Sequence, residues 1–151
     1  QTIQFALQGG IIDLTCGMTG SAIPVPQAVK QALDAGVPLE RLTLSSDGNG
    51  SMPKFNENNE LIGLTAAAPR YLYEEMLSIV KAGVLPFDKA LQLITCNVAD
   101  ALKLEDKGRI AVGKDADLIV WNDDLTLNKV FARGRLMVDE GQAIVKGTFE
   151  N

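Results

Sequence analysis

The chain has 151 residues, a formal net charge of -5 and 46% hydrophobic residues, which suits a folded polypeptide with its own core and excludes disorder and small disulfide-stapled scaffolds. It contains no His, so a Ser-His-Asp triad, a Cys-His dyad and a histidine zinc site cannot be built from it alone. Charge is spread evenly, with seven basic and ten acidic residues in 1–104 and seven against nine in 105–151, leaving no basic face for nucleic acid.

No apolar run approaches the roughly 20 residues that span a bilayer, and residues 1–10 lack the basic start and apolar stretch of a targeting segment. The expectation is a cytoplasmic protein that meets neither membrane nor nucleic acid. Residues 1–8 read as the tail of a helix. After Gly9-Gly10, the β-branched run Ile11-Ile12-Asp13-Leu14-Thr15-Cys16 has the length of a strand in a parallel sheet. Pro24 and Pro26 then open a helix with Val25, Ala28, Val29, Ala32 and Leu33 on its apolar side, closed by Gly36 and Pro38. Arg41-Leu42-Thr43-Leu44-Ser45-Ser46 is a second strand. Strand, helix and strand in so short a span make a βαβ unit with parallel strands and a right-handed crossover.

Residues 47–65, rich in Gly, Asn, Ser and Pro, predict a long surface loop, and long loops in compact domains are often functional. Two helices follow over 69–82 and 87–103, with Leu72, Met76, Leu77 and Val80 on one and Phe87, Ala90, Leu91, Ile94, Val98, Ala101 and Leu102 on the other. Beyond Leu104 the period changes to short strands over 117–121, 127–132, 135–138 and 143–145, broken at Asn122-Asp123-Asp124, Gly134 and Glu140-Gly141. Two parallel strands do not make a stable sheet alone, and there is no initiator Met. The expectation is therefore the C-terminal part of a longer protein, with further βα units before Gln1. Cys16 and Cys96 predict buried thiols, and nothing in their spacing supports a disulfide.

The most informative segment is Ser45-Ser46-Asp47-Gly48-Asn49-Gly50-Ser51. In a parallel α/β sheet the ligand site lies beyond the carboxyl ends of the strands, and Asp47 falls there. Gly48 and Gly50 clear side chains from beside it, and Ser51 adds a hydroxyl. Asp-Gly and Asn-Gly are also common turn pairs, so a plain turn is the competing reading, although the polar stretch that follows argues against a tight hairpin. A calcium loop matches at Asp47, Asn49 and Ser51 but fails where Met52 replaces the required Gly and Asn58 the bidentate Glu. Residues 108–120, from Gly108-Arg109-Ile110 to Ala116-Asp117-Leu118, read as a structural turn with Asp117 opening the next strand.

Together these residues resemble the amidohydrolase superfamily, which pairs an Asp on barrel strand eight with a G-x-I-x-x-G-x-x-A-D-L stretch entering a small β domain. The run Ala90-Leu91-Gln92-Leu93-Ile94-Thr95-Cys96-Asn97-Val98-Ala99 is similar to its A-L-x-x-x-T-x-N-x-A helix. Within that superfamily, residues 42–51, 130–138 and 145–150 resemble the bacterial isoaspartyl dipeptidase branch. The resemblance implies an α/β fold, with residues 1–104 as the last two βα units of a (β/α)8 metallo-hydrolase barrel and 105–151 as the C-terminal portion of a small β-sandwich domain.

It further implies a binuclear zinc hydrolase of β-aspartyl dipeptides and a homo-oligomer. Metal ions there lower the pKa of a bridging water and polarise the scissile carbonyl. Only Asp47, as metal ligand and general base and acid, and Ser51, on the substrate's α-carboxylate, carry over to this sequence. The histidines that hold metal in the family are absent, so the chain alone is expected to be inert. The alternatives are a sibling amidohydrolase of dihydroorotase, hydantoinase or N-acyl amino-acid deacylase type, or a non-catalytic assembly piece.

Overall fold

A computed structural model describes residues 1–18 and 23–147. The chain divides into two compact units, Gln1–Leu102 and Lys103–Asn151, against the expected boundary after residue 104.

In the first unit, α1 (Thr2–Leu7) leads into β1 (Ile12–Thr15), α2 (Val25–Asp34) follows, and a 3-10 turn (Leu39–Arg41) delivers the chain to β2 (Leu42–Ser45). The strands β1 and β2 pair in parallel, Ile12 opposite Leu42 and Thr15 opposite Ser45. The prolines set the start of α2: Pro24 is its N-cap and Pro26 lies in the first turn, where a missing amide hydrogen costs nothing. Val25, Val29 and Ala32 bury its inner face. The helix stops because Gly36 turns left-handed at φ 87°, which lets the Val37 amide reach the Ala32 carbonyl and the Gly36 amide reach the Leu33 carbonyl. The ends of α1 at Gly9 and of α3 (Tyr71–Lys81) at Gly83 close by the same pair of bonds.

The core of this unit lies where Ile12, Leu42 and Leu44 meet Val29 of α2 and Met76 and Ile79 of α3. Only alternate strand residues enter it. Cys16, at the exit of β1, is fully buried there, as expected, whereas Cys96 is half-buried, and both are free thiols.

Two expectations are corrected. The predicted loop over 47–65 is a hairpin, β3 (Ser51–Phe55) against antiparallel β4 (Leu61–Ala66), with the register shifted at Lys54/Phe55. Asn56 makes its turn by accepting the amides of Asn58 and Glu60, both at 2.9 Å. All of β4 is exposed, so no alternation of buried residues marked it in the sequence. The helix expected over 87–103 is two, α4 (Phe87–Gln92) and α5 (Cys96–Ala101). Between them the bonds tighten to a three-residue step, Ile94 to Leu91 and Thr95 to Gln92, while the Thr95 hydroxyl takes the Leu91 carbonyl at 2.7 Å.

That interruption meets the outer side of β2. In a parallel ladder alternate residues point their backbone groups to opposite sides, and the Leu42 and Leu44 groups point away from β1. The Leu44 amide donates to the Leu93 carbonyl at 3.0 Å, and the Asn97 side-chain amide donates to the carbonyls of Leu42 at 2.9 Å and Leu39 at 2.8 Å.

The second unit is an antiparallel meander of β5 (Leu118–Trp121), β6 (Leu127–Ala132), β7 (Arg135–Asp139) and the short β8 (Gln142–Ala143). The β6–β7 and β7–β8 turns carry Arg133-Gly134 and Glu140-Gly141, each with both residues at positive φ, as two-residue hairpin turns of the I′ type require. The expected last strand over 143–145 shrinks to two residues, and residues 148–150, which contributed to the resemblance, lie outside those described.

Candidate functional site

Asp47 stands two residues beyond the carboxyl end of β2, and Ser51 opens β3 four residues later. Both are exposed. The intervening turn is closed by the Gly50 amide on the Asp47 carbonyl at 2.8 Å, and it contains two non-glycine residues in the left-handed region, Asp47 at φ 48° and Asn49 at φ 65°. Asp and Asn tolerate that region best among side-chain-bearing residues, but each still stores strain that the surroundings must hold. The hold comes from Ala67: its carbonyl accepts the Asn49 amide at 2.9 Å, and its amide donates to the Gly50 carbonyl at 2.8 Å.

The two glycines have separate uses. A Cβ on Gly50 would stand 2.8 Å from both the carbonyl oxygen and the Oδ1 of Asp47, so the carboxylate occupies space that any larger residue would take. A Cβ on Gly48 would meet Pro69 and the Ser46 hydroxyl at 3.2 Å, a tight but softer approach. The exposed Asp47 carboxyl thus lies close over its own turn.

Residues that the sequence reading did not single out lie on the same strands. Asp13 of β1 accepts the Thr43 hydroxyl on Oδ1 at 2.7 Å and the Ser45 hydroxyl on Oδ2 at 2.5 Å. The available signal was alternation: Thr43 and Ser45 interleave with Leu42 and Leu44, and Asp13 sits between Ile12 and Leu14. At the exit of β1, Tyr71 covers Gly17, where a Cβ would meet its ring at 2.3 Å. Burial, then the carboxylates of Glu75 and Asp13, pushes the Cys16 thiol up to about 12, which keeps it protonated and unreactive at neutral pH.

In the second unit Lys107 bridges Asp115 at 2.7 Å and Asp117 at 2.5 Å, while Asp117 also accepts the Arg133 backbone amide at 2.8 Å. The hydrogen bond from Lys107 holds both carboxyls below their ordinary range, and its bonds to Asp115 and Asp117 hold Lys107 above its own. This is a brace around the turn that leads into β7, which agrees with the structural reading of residues 108–120.

A metal site needs several donors, and Asp47 is a single carboxylate in a chain without His. Among the described residues no group of three or more His, Cys, Asp or Glu could hold a metal ion. The residues present therefore do not fit a metal centre by themselves. No helix among the described residues is long and apolar enough to cross a membrane.

The chain is similar to known proteins in sequence and fold. The structure superimposes on a β-aspartyl dipeptidase from Fervidobacterium islandicum AW-1, solved in complex with β-Asp-Leu dipeptide, with a TM-score of 0.81 and 31% identity, over 97% of this chain and 38% of that one. An N-acetylglucosamine-6-phosphate deacetylase from Thermotoga maritima shares the fold at 19% identity and a TM-score of 0.65, over 86% of this chain and 39% of that one. An imidazolonepropionase from Anaeromyxobacter sp. (strain K) is 34% identical over 74% of this chain and 22% of its own length. The chain thus spans under two-fifths of the solved relatives and under a quarter of that curated one. The parallel βαβ unit and the β meander are parts of the amidohydrolase barrel proteins it matches. Residues 24–137, three-quarters of the sequence, match the model of the amidohydrolase family, to which this chain belongs.

Proposed function

We propose that this chain supplies Asp47 as general base and acid, and Ser51 as a substrate ligand, to a metal-dependent hydrolase of β-aspartyl dipeptides. The observation that carries the reading is the Asp47 turn: a strained, clasped aspartate at the carboxyl end of a parallel strand, in a fold that superimposes on a β-aspartyl dipeptidase. Amidohydrolases are generally metal-dependent. We infer zinc as the metal, with Asp47 as one ligand and the rest contributed by histidines outside this chain. The protein is read as a cytoplasmic homo-oligomer.

The chain's own part in the reaction is proton movement. The Asp47 carboxylate takes a proton from the attacking water and returns it to the departing amine, a role worth roughly 10²–10⁴-fold in rate. Ser51, four residues away on β3, donates to a carboxylate of the dipeptide remote from the bond being cleaved. The test is hydrolysis of β-Asp-Leu by the intact protein that carries this sequence. Asp47→Asn is expected to lower kcat by roughly 10²–10⁴-fold, and Ser51→Ala to raise KM with little change in kcat. Turnover that survives Asp47→Asn overturns the assignment. The 151-residue chain alone is expected to be inert with zinc, and hydrolysis by it would refute that.

A second reading has its own support. An imidazolonepropionase is 34% identical to this chain, and an adenine deaminase from Carboxydothermus hydrogenoformans is 27% identical over 68% of this chain and 17% of its own length. Turnover of a cyclic amide or an aminopurine, with none of the dipeptide, would favour a sibling of this kind.

A further inference from the structure

We propose that Asp13 is a positioning residue for Asp47, acting through the hydroxyls of Thr43 and Ser45. This rests on the reading of Asp47 given above. The two parallel strands have distinct faces: Ile12, Leu42 and Leu44 enter the core against the helices, so Asp13, Thr43 and Ser45 share the opposite face. Asp13 lies directly across from Thr43 in the register, and its two oxygens divide the work, one on Thr43 and one on Ser45. Both hydroxyls donate to the carboxyl, at 2.7 Å and 2.5 Å.

A strand does not need this group for its pairing. Aspartate is disfavoured in strands, and the alternation of Leu42 and Leu44 with polar residues already fixes the register. What the carboxylate adds is orientation. Because it can only accept, it makes both hydroxyls donors toward itself and so fixes their rotamers. Ser45 is the last residue of β2, and its backbone carbonyl also accepts the Cys16 amide at 2.7 Å. It is therefore gripped by β1 through side chain and main chain together, one residue before Ser46 and two before the strained Asp47. The anchoring point of the catalytic turn is set on the neighbouring strand.

The experiment uses the intact protein with its Asp carboxyl carbons labelled with carbon-13, the Asp47 resonance being identified by its loss in Asp47→Asn. Two changes are compared: Asp13→Asn, in which one of the two hydroxyls loses its acceptor, and the pair Thr43→Val with Ser45→Ala, which keeps the charge and removes both donors. Each is expected to lower kcat on β-Asp-Leu about 10- to 100-fold at unchanged KM and to move the Asp47 resonance. Should Asp13→Asn fail to fold, the paired change decides. An unmoved Asp47 resonance overturns the inference, whatever happens to kcat, and so does an effect confined to KM. If the unaltered protein does not hydrolyse the dipeptide, the functional reading falls and the Asp47 resonance alone still decides the role of Asp13.

Discussion

At residue scale the site turns on how little room surrounds one carboxylate. Gly50 is the closest constraint, since a methyl group there would stand 2.8 Å from Asp47 Oδ1 and from the Asp47 carbonyl oxygen. Gly50→Ala must therefore push the carboxylate aside or open the turn. The expected result is a loss of about 10²-fold in kcat with little change in KM, whereas Gly48→Ala, facing a softer 3.2 Å approach, should cost visibly less. Steady-state kinetics of the two variants side by side check the ranking. The place of Asp47 was legible because the alternating run Leu42-Thr43-Leu44-Ser45 marks a strand that ends just before it, whereas the roles of Asp47 and Ser51 rest on the family resemblance. For Asp13 alternation marks the face, but its partners Thr43 and Ser45 show only once the neighbouring strand is in register.

Elements repeat this division between local and remote information. The start of α2 could be read from Pro24 and Pro26, and its end from Gly36, because proline and glycine act on their own backbone. The break between α4 and α5 could not, since the apolar spacing continues through it and its cause, the outer edge of β2, is some fifty residues earlier in the chain. Hairpin β3–β4 was hidden for the opposite reason: β4 buries nothing, so only pairing defines it. Asn97 holds the break in place with an almost fully buried amide that serves two carbonyls. Asn97→Ala would take the donor from the Leu42 carbonyl and leave the Leu39 carbonyl with the Leu42 amide alone, and is expected to destabilise the first unit by about 1–3 kcal/mol, measured by chemical denaturation. Asn97→Gln, which keeps the donors on a longer stem, should recover part of that loss.

Across the whole chain, the two units depend on different forces. The first has a buried apolar cluster, while the second, with no fully buried residue among those described, is built on strand pairing and carries ion pairs around Lys107. The depressed carboxyls of Asp115 and Asp117 contribute stability that is complete above the ordinary carboxylate range and disappears as pH falls through their lower folded values. Lys107, held above its ordinary range, contributes stability that is complete below that range and disappears as pH rises through its higher folded value. Unfolding of the second unit should thus show a plateau across neutral pH with losses in strong acid and strong base. Asp117→Asn should flatten the acid side, a comparison readable by circular dichroism across a pH series.

The clasp at Ala67 ties these scales together. Ala67 follows β4 directly, and its two backbone bonds fasten the far end of the hairpin to Asn49 and Gly50. Those two bonds are made between Asp47 and Ser51 in the chain, so the same backbone contacts border both side chains. The hairpin's closing end and the turn that carries Asp47 are one hydrogen-bonded piece, so a change that unpairs β3 from β4 is expected to loosen that turn as well.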